Sequence, residues 1–167
     1  ALKALRFVGL GSDTVERIPV DGQGAIRADA AEQMLVGMTG PAIVLAQAGN
    51  VNSGAVDPLG RIIDAAHAVG AWVHVDGAFG LWARLDDRVA HLLDGMEDAD
   101  SWATDAHKWL NTPYDCGIAI TRHPDAHRKA MTLRADYLPQ DDSSVVRSPI
   151  DWNPEMSNAA PINSTSA

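Results

Sequence analysis

The sequence has little of what disulfide-bonded, membrane-spanning and nucleic-acid-binding proteins need. It contains a single cysteine, Cys116, among 167 residues, so neither an internal disulfide nor a cysteine-based zinc cluster can form. No apolar run approaches the roughly 20 residues that cross a bilayer, and no signal peptide is visible. Lysine and arginine number 13 against 22 aspartates and glutamates, and this net charge of -9 argues against non-specific nucleic-acid binding. These absences predict a cytoplasmic protein that binds neither membranes nor nucleic acids.

The composition is that of a globular domain. Hydrophobic residues make up 46% of the chain and charged residues 21%, and the length is enough for one domain with a real core. Residues 42–46 (AIVLA) form a continuous apolar run, which is typical of a parallel strand buried on both faces. A loop rich in Gly, Asn and Ser follows over residues 47–57, and such a loop can bring its backbone close to a ligand.

A helix and a second strand complete a β-loop-α-β unit over residues 42–76. Asp57 and Pro58 offer an N-cap and a first helical proline. The helix then carries an apolar stripe at helical spacing, formed by Leu59, Ile62, Ile63 and Ala66. Residues 72–75 form the next strand, which leads to Asp76.

Other elements are predicted from local patterns. They are a strand over residues 14–20, a helix from an Asp29 cap with Glu32 to about Met38, a helix over 81–94, strands over 101–104 and 117–121, and a helix over 123–131. From residue 132 onward the sequence no longer shows the local pattern of a helix or a strand, which predicts a mobile loop followed by a disordered tail.

Two stretches combine apolar runs with chemically active side chains. One is SWATDAHKWLNTPYDCG over residues 101–117, with Lys108 at its centre, and the other is AWVHVDGAFG over residues 71–80, with Asp76 at its centre. Each side chain comes just after a short apolar run, which suggests that both project from one edge of a sheet. In open α/β sheets ligands bind at the edge outside the carboxyl ends of the strands.

These stretches carry a family resemblance. HVDGAFG, followed by DSWATDAHKWLN and PYDCG, resembles the group II pyridoxal-phosphate-dependent decarboxylases, which include the aromatic-amino-acid and glutamate decarboxylases. AQAGNVNSGAVDP at 46–58 and DWNPEMS at 151–157 are similar to a bacterial branch of that family. The resemblance covers about residues 1–157. It implies an α/β fold with a mainly parallel sheet flanked by helices, the large-domain core of the fold-type I, aspartate aminotransferase-like enzymes.

The resemblance also implies a domain division. Family members are much longer, and this chain lacks an initiator methionine, so we expect a partial chain. Residues 1–150 are predicted to be a fragment of the large domain that binds pyridoxal phosphate. Residues 151–167 are predicted to begin a connection to a C-terminal region.

The resemblance assigns roles to five residues. Lys108 is expected to form a Schiff base with pyridoxal 5'-phosphate, and Asp76 to hold the protonated pyridine nitrogen. His107 is expected near the cofactor, Ala78 against its ring, and Gln47 near the ring hydroxyl. The alternatives are a surface lysine for Lys108, a structural cap for Asp76, and a polar loop residue for Gln47.

Asp105 departs from the family pattern. The family often has asparagine there, at the phosphate, which would repel a carboxylate. We therefore expect Asp105 to turn away or to accept from a backbone N–H. Ser101 is expected to be a strand residue rather than a phosphate donor, and Cys116 a buried small hydrophobe.

The tyrosines also depart from the family. Decarboxylating members usually use a loop tyrosine to protonate the carbanion. This chain has only Tyr114, which we expect in the core, and Tyr137, which lies too early in the mobile segment. The outcome therefore stays open among simple decarboxylation, an oxidative variant and another Cα bond cleavage.

The resulting hypothesis is an amino-acid carboxy-lyase that forms an amine and CO2, acts in amino-acid and carboxylic-acid metabolism, and works as a homodimer. The rivals are another fold-type I lyase or aminotransferase, and a fragment inactive by itself. A further rival is a metal-dependent hydrolase that uses His74, Asp76 and His107. No metal site is expected, because His74 lacks a third ligand at convincing spacing and is better explained as a hydrogen-bonded histidine.

Overall fold

The computed structural model describes residues 2–11, 13–132 and 152. The helices and strands within them are α1 (Leu2–Phe7), α2 (Ala28–Val36), β1 (Ile43–Gln47), α3 (Leu59–Ala68), β2 (Trp72–Asp76), β3 (Ser101–Asp105), β4 (Gly117–Thr121) and α4 (Pro124–Met131). Three short 3-10 helices lie at Leu81–Leu85, Ala90–Leu93 and Met96–Asp98. The chain divides into two compact units, Ala1–Ile120 and Thr121–Ala167. Among the residues described, no helix is both long and apolar enough to cross a membrane.

The first unit is built on a sheet with the strand order β1-β2-β3-β4. β1 pairs in parallel with β2, and β2 pairs in parallel with β3. Gln47 is the register partner of Asp76, and Asp76 is the partner of Ala103. The three strands therefore end at one edge of the sheet, as the β-loop-α-β pattern predicts.

The hydrophobic core lies on one face of this sheet. Side chains alternate along β1 and β2, so that Val44, Ala46, Val73 and Val75 point to the buried face. α3 covers that face with the predicted stripe of Leu59, Ile62, Ile63 and Ala66, each at most 1% exposed. The other face carries side chains that stay partly or fully exposed, including Ile43 at 60% and Leu45 at 39%.

Two sequence predictions near the N-terminus are wrong. No strand forms over residues 14–20 beyond an isolated antiparallel bridge between Val20 and Ile26. Pro19 lacks an N–H and so cannot donate to a ladder. α2 begins at Ala28 with Arg27 as its N-cap, because the carboxylate of Asp29 pairs with the Arg27 guanidinium at 2.6 Å instead of capping the helix.

The helix predicted over residues 81–94 is also wrong. The segment forms two 3-10 helices, which are separated at Asp86. The Asp86 carboxylate accepts from the Arg88 backbone N–H at 3.0 Å and pairs with its guanidinium at 2.6 Å. Local side-chain bonds of this kind compete with the helical pattern. The other predicted elements are confirmed within one to two residues. Three predictions fall outside the described residues, apart from Thr132 and Trp152: the mobile loop, the tail and the division at residue 150.

Asp57 connects three segments of the first unit. Its side chain is buried, at 4% exposure, and accepts from the backbone N–H of Ile26 at 2.7 Å and of Gln47 at 2.6 Å. It does not cap α3, whose N-cap residue is Pro58. The predicted capping role is therefore wrong, since both carboxylate oxygens are used by N–H groups from distant segments.

Replacing Asp57 with Ala should lower the free energy of unfolding by about 2–4 kcal/mol, because the N–H groups of the partly buried Ile26 and Gln47 lose their acceptor. Chemical denaturation of the two proteins measures the difference. Asp64→Ala is the matched control, since Asp64 is an exposed residue of α3, and it should change stability by less than about 0.5 kcal/mol. Equal effects of the two substitutions would contradict the prediction.

The same carboxylate should give a pH dependence. Burial raises the pKa of Asp57 above its ordinary 3.8, although its two N–H donors oppose the shift. The folded chain therefore binds this proton more tightly than the unfolded chain. The contribution of the group to stability is full below pH 3.8 and declines as the pH rises through the raised pKa. Unfolding measured across this range should show the decline in the unmodified protein and not in Asp57→Asn; a constant difference between the two would contradict it.

Candidate functional site

Polar side chains gather at the carboxyl edge of the sheet. Gln47 ends β1, Asp76 ends β2 and Asp105 ends β3. The alternation of burial along the three strands places all of them on the face opposite α3. The structure therefore brings together side chains that lie far apart in sequence, on the face that the core leaves open.

Asp76 presents a carboxylate at this edge. Its side chain is exposed, and Oδ1 accepts from the backbone N–H of Ala78 at 3.1 Å. The following residue, Gly77, donates its N–H to the Ala103 carbonyl of β3 at 2.8 Å. The turn after β2 is thus fixed to the sheet, and Oδ2 of Asp76 receives no hydrogen bond from the described residues.

Lys108 lies in the turn that follows β3. Its Nζ is 2.6 Å from Asp105 Oδ2 and 3.8 Å from the centroid of the Phe79 ring. The Lys108 side chain is only 27% exposed, so it is not a freely solvated surface lysine. Because Phe79 comes three residues after Asp76, this contact joins the two stretches that the sequence singles out.

His107 is held by the backbone of Cys116. The Cys116 N–H lies 3.0 Å from Nδ1, and the Cys116 carbonyl oxygen lies 3.1 Å from the same nitrogen. The Cys116 backbone can therefore hold the ring whether Nδ1 accepts or donates a hydrogen bond. Tyr114 packs against the imidazole edge to face, with the ring centroids 4.6 Å apart.

His74 belongs to a separate hydrogen-bonded group beneath the edge. Its Nδ1 is 2.8 Å from Ser101 Oγ, which also accepts from Trp72 Nε1 at 2.9 Å. Burial lowers the pKa of His74, and the charge of Asp76 opposes that shift. His74 is thus a hydrogen-bonded histidine, and Ser101 is a strand residue, as the sequence predicts. Within the described part of the chain, no three His, Cys, Asp or Glu side chains are placed to hold a metal.

The loop after β1 and the turn after β2 lie against each other. The Ala48 N–H donates to the Asp76 carbonyl at 2.8 Å, and the Gly80 N–H donates to the Ala48 carbonyl at 2.9 Å. A Cβ at Gly80 would lie 2.5 Å from the Ala48 oxygen. The side chain of Gln47 is also fixed, since its Oε1 accepts from Asn50 Nδ2 at 3.2 Å.

Several details differ from the sequence predictions. Asp105 accepts from no backbone N–H of the described residues, because its carboxylate pairs with the Lys108 ammonium instead. Tyr114 is 86% exposed rather than packed in the core, and Cys116 is half-buried. The aromatic contact of Phe79 with Lys108 was not predicted. A carboxylate and an amine three residues apart across a tight turn are a local signal that could have indicated the pairing of Asp105 with Lys108. Tyr137 lies outside the described residues.

Comparison with known proteins identifies the family that this chain resembles. Residues 3–163 match the family model of the pyridoxal-dependent decarboxylase conserved domain. A glutamate decarboxylase-like protein of Gibberella zeae is 36% identical over 140 residues, which are 81% of this chain and 27% of that protein. The aromatic-L-amino-acid decarboxylase of Bacillus atrophaeus is 31% identical over 148 residues, 86% of this chain and 31% of that protein. This chain thus spans under a third of the length of these two relatives.

A solved structure agrees with these sequence relatives. Oryza sativa TDC with PLP and tryptamine is 31% identical, has a TM-score of 0.78, and matches over 91% of this chain and 33% of its own chain. This likeness confirms the expected fold, the large-domain core of the fold-type I pyridoxal-phosphate enzymes. It also confirms the resemblance that the sequence motifs indicate.

The close contact between the loop after β1 and the turn after β2 predicts that one methyl group added at Gly80 destabilises the protein. Gly80→Ala should lower the free energy of unfolding by about 1–3 kcal/mol, because the new Cβ overlaps the Ala48 carbonyl. Gly37→Ala is the matched control: Gly37 has a φ of -93°, and a Cβ added there would meet no atom within 4 Å. Denaturant unfolding of both variants measures the difference. A Gly80→Ala protein as stable as Gly37→Ala would show that the loops are not in close contact.

Proposed function

The chain belongs to the pyridoxal-dependent decarboxylase family, and we propose on that basis that it forms the cofactor-binding core of an enzyme that converts an amino acid to an amine and CO2. The observation that carries the proposal is the meeting of the Lys108 and Asp76 stretches at one edge of a parallel sheet. The named relatives support the reaction class, since they are decarboxylases of amino acids or proteins similar to them.

The residues at the edge fit pyridoxal phosphate. That cofactor needs a lysine amine for its aldehyde and an acidic partner for its pyridine nitrogen. Lys108 supplies an amine on the open face of the sheet, and Asp76 supplies a carboxylate with an oxygen to spare. Ala78 has a side chain small enough to leave room for a ring beside Asp76.

The chemistry then divides between the cofactor and the chain. When bound, pyridoxal phosphate supplies a ring that accepts the electrons released by breaking a bond to the substrate Cα. Asp76 keeps a proton on the pyridine nitrogen, because a carboxylate beside the nitrogen favours its charged form. Lys108 provides the amine that fixes the cofactor in place. His107 offers Nε2, the ring nitrogen that the Cys116 backbone does not contact, and Gln47 offers its side-chain amide.

The assembly that we propose is a homodimer in the cytoplasm. Large apolar side chains next to Lys108 are exposed, namely Trp109 at 60%, Leu110 at 45% and Tyr114 at 86%. Exposed apolar side chains grouped in this way are typical of a surface that another polypeptide covers. A second subunit at this position would complete the substrate pocket, and the substrate is an amino acid whose side chain that pocket selects.

Attachment of the cofactor to Lys108 tests the proposal. The full-length protein is incubated with pyridoxal phosphate, reduced with borohydride and digested, and the peptides are examined by mass spectrometry. A single reduced adduct is expected on Lys108, and Lys108→Ala should abolish it together with amine formation from amino acids. Lys129→Ala is the matched control, since Lys129 is an exposed residue of α4, and it should keep both.

The outcomes separate the rival hypotheses. An adduct on the full-length protein but not on the isolated chain of 167 residues would mean that the site needs further segments. An adduct on Lys108 without CO2 release from any amino acid would favour another fold-type I lyase or an aminotransferase. No adduct on either protein would remove the enzyme hypothesis.

A further inference from the structure

Lys108 is held by two different kinds of contact. Its Nζ forms an ion pair with Asp105 Oδ2 at 2.6 Å, and it lies over the face of the Phe79 ring at 3.8 Å from the centroid. Asp105 belongs to the end of β3, whereas Phe79 belongs to the turn after β2. The amine is thus fixed between two elements rather than along one flexible segment.

Both neighbours attract an ammonium group. The Asp105 carboxylate does so as an opposite charge at 2.6 Å, and the negative face of the Phe79 ring does so through its quadrupole. The side chains of Lys108 and Asp105 are 27% and 32% exposed, so solvent screens this pair less than it screens a fully exposed one.

We infer that Asp105 is a positioning residue for Lys108: with Phe79 it forms a clamp that holds the ammonium group at the carboxyl edge whenever the amine is not bonded to a carbonyl carbon. This inference deepens the proposed function and rests on it. It also gives a role to the carboxylate that stands where the family often has asparagine. The charge of Asp105 is compensated inside the chain by Lys108.

The clamp acts on a defined chemical step. The ammonium has no lone pair, so it must first release a proton to solvent. The neutral nitrogen then forms a bond to the carbonyl carbon, and the carbonyl oxygen leaves as water. The clamp therefore slows the capture of an aldehyde. Once the bond between Nζ and a carbonyl carbon is broken and Lys108 is released as a neutral amine, it would take up a proton from solvent and return to Asp105 and Phe79, which would keep it within the site.

Reductive methylation of the full-length protein without cofactor measures how far the clamp slows the reaction of the Lys108 amine with an aldehyde. Formaldehyde is the aldehyde, and cyanoborohydride supplies the hydride that turns the imine into a stable methylamine. The rate at Lys108 is divided by the rate at Lys129 in the same sample, with both peptides quantified by mass spectrometry at one fixed pH. The variants are Asp105→Asn, which keeps the shape and removes the charge, Asp105→Glu, which keeps the charge, and Asp64→Asn, which removes an exposed charge of α3.

Asp105→Asn should raise the Lys108 to Lys129 ratio by about three- to tenfold, because the nitrogen no longer has to leave a partly buried ion pair before it reacts. Asp105→Glu should bring the ratio back towards that of the unmodified protein, and Asp64→Asn should leave it unchanged. A purely structural role would not give this rescue by charge. An unchanged ratio in Asp105→Asn, or an equal rise in Asp64→Asn, would overturn the inference.

A second variant covers the case in which Asp105→Asn does not fold, as judged by circular dichroism. Phe79→Leu keeps an apolar side chain but removes the ring face, and it should also raise the ratio. An unchanged ratio in a folded Phe79→Leu protein would then overturn the inference. Failure of the proposed function is read separately, because it appears as a missing pyridoxal-phosphate adduct on Lys108, and formaldehyde reacts whether or not that cofactor binds.

Discussion

The parallel register of β1, β2 and β3 is the constraint on which the rest of the first unit depends. Since Gln47 pairs with Asp76 and Asp76 with Ala103, three strand ends and the turns that follow them share one edge. A shift by one residue would turn Asp76 towards the core and Val75 away from it. The apolar face of α3 prevents that shift, because it needs Val73 and Val75 beneath it. Packing on one face of the sheet therefore positions the polar groups on the other.

Three carboxylates in this unit have different roles because they have different partners and different degrees of burial. Asp57 is buried and organises backbone from two distant segments, whereas Asp105 is half-buried and receives an ammonium group. Asp76 is exposed, with one oxygen used by its own turn. A carboxylate thus serves as an acceptor for backbone N–H groups, as an ion-pair partner or as an exposed acceptor at the site. The role follows the extent to which its side chain is buried.

Much of the fold could be predicted from sequence, because its elements follow from apolar periodicity. The stripe on α3 and the apolar run of β1 identify a parallel β-loop-α-β unit, and the strand before Asp76 places that carboxylate at the edge. The missed features depend on side-chain competition: Asp86 binds the Arg88 N–H and interrupts a helix, and Arg27 takes the carboxylate of Asp29. The contact of Lys108 with Phe79 joins residues 29 positions apart, and no local pattern encodes it. The roles predicted for Lys108, Asp76, His107, Ala78 and Gln47 remain predictions.

The close approach of Gly80 to Ala48 has a mechanical consequence. Two hydrogen bonds link the loop after β1 to the turn after β2, and the missing side chain of Gly80 lets the backbones touch. A displacement of the Ala48 backbone would strain both of these bonds, so the loop that follows Gln47 and the turn that follows Asp76 are mechanically coupled.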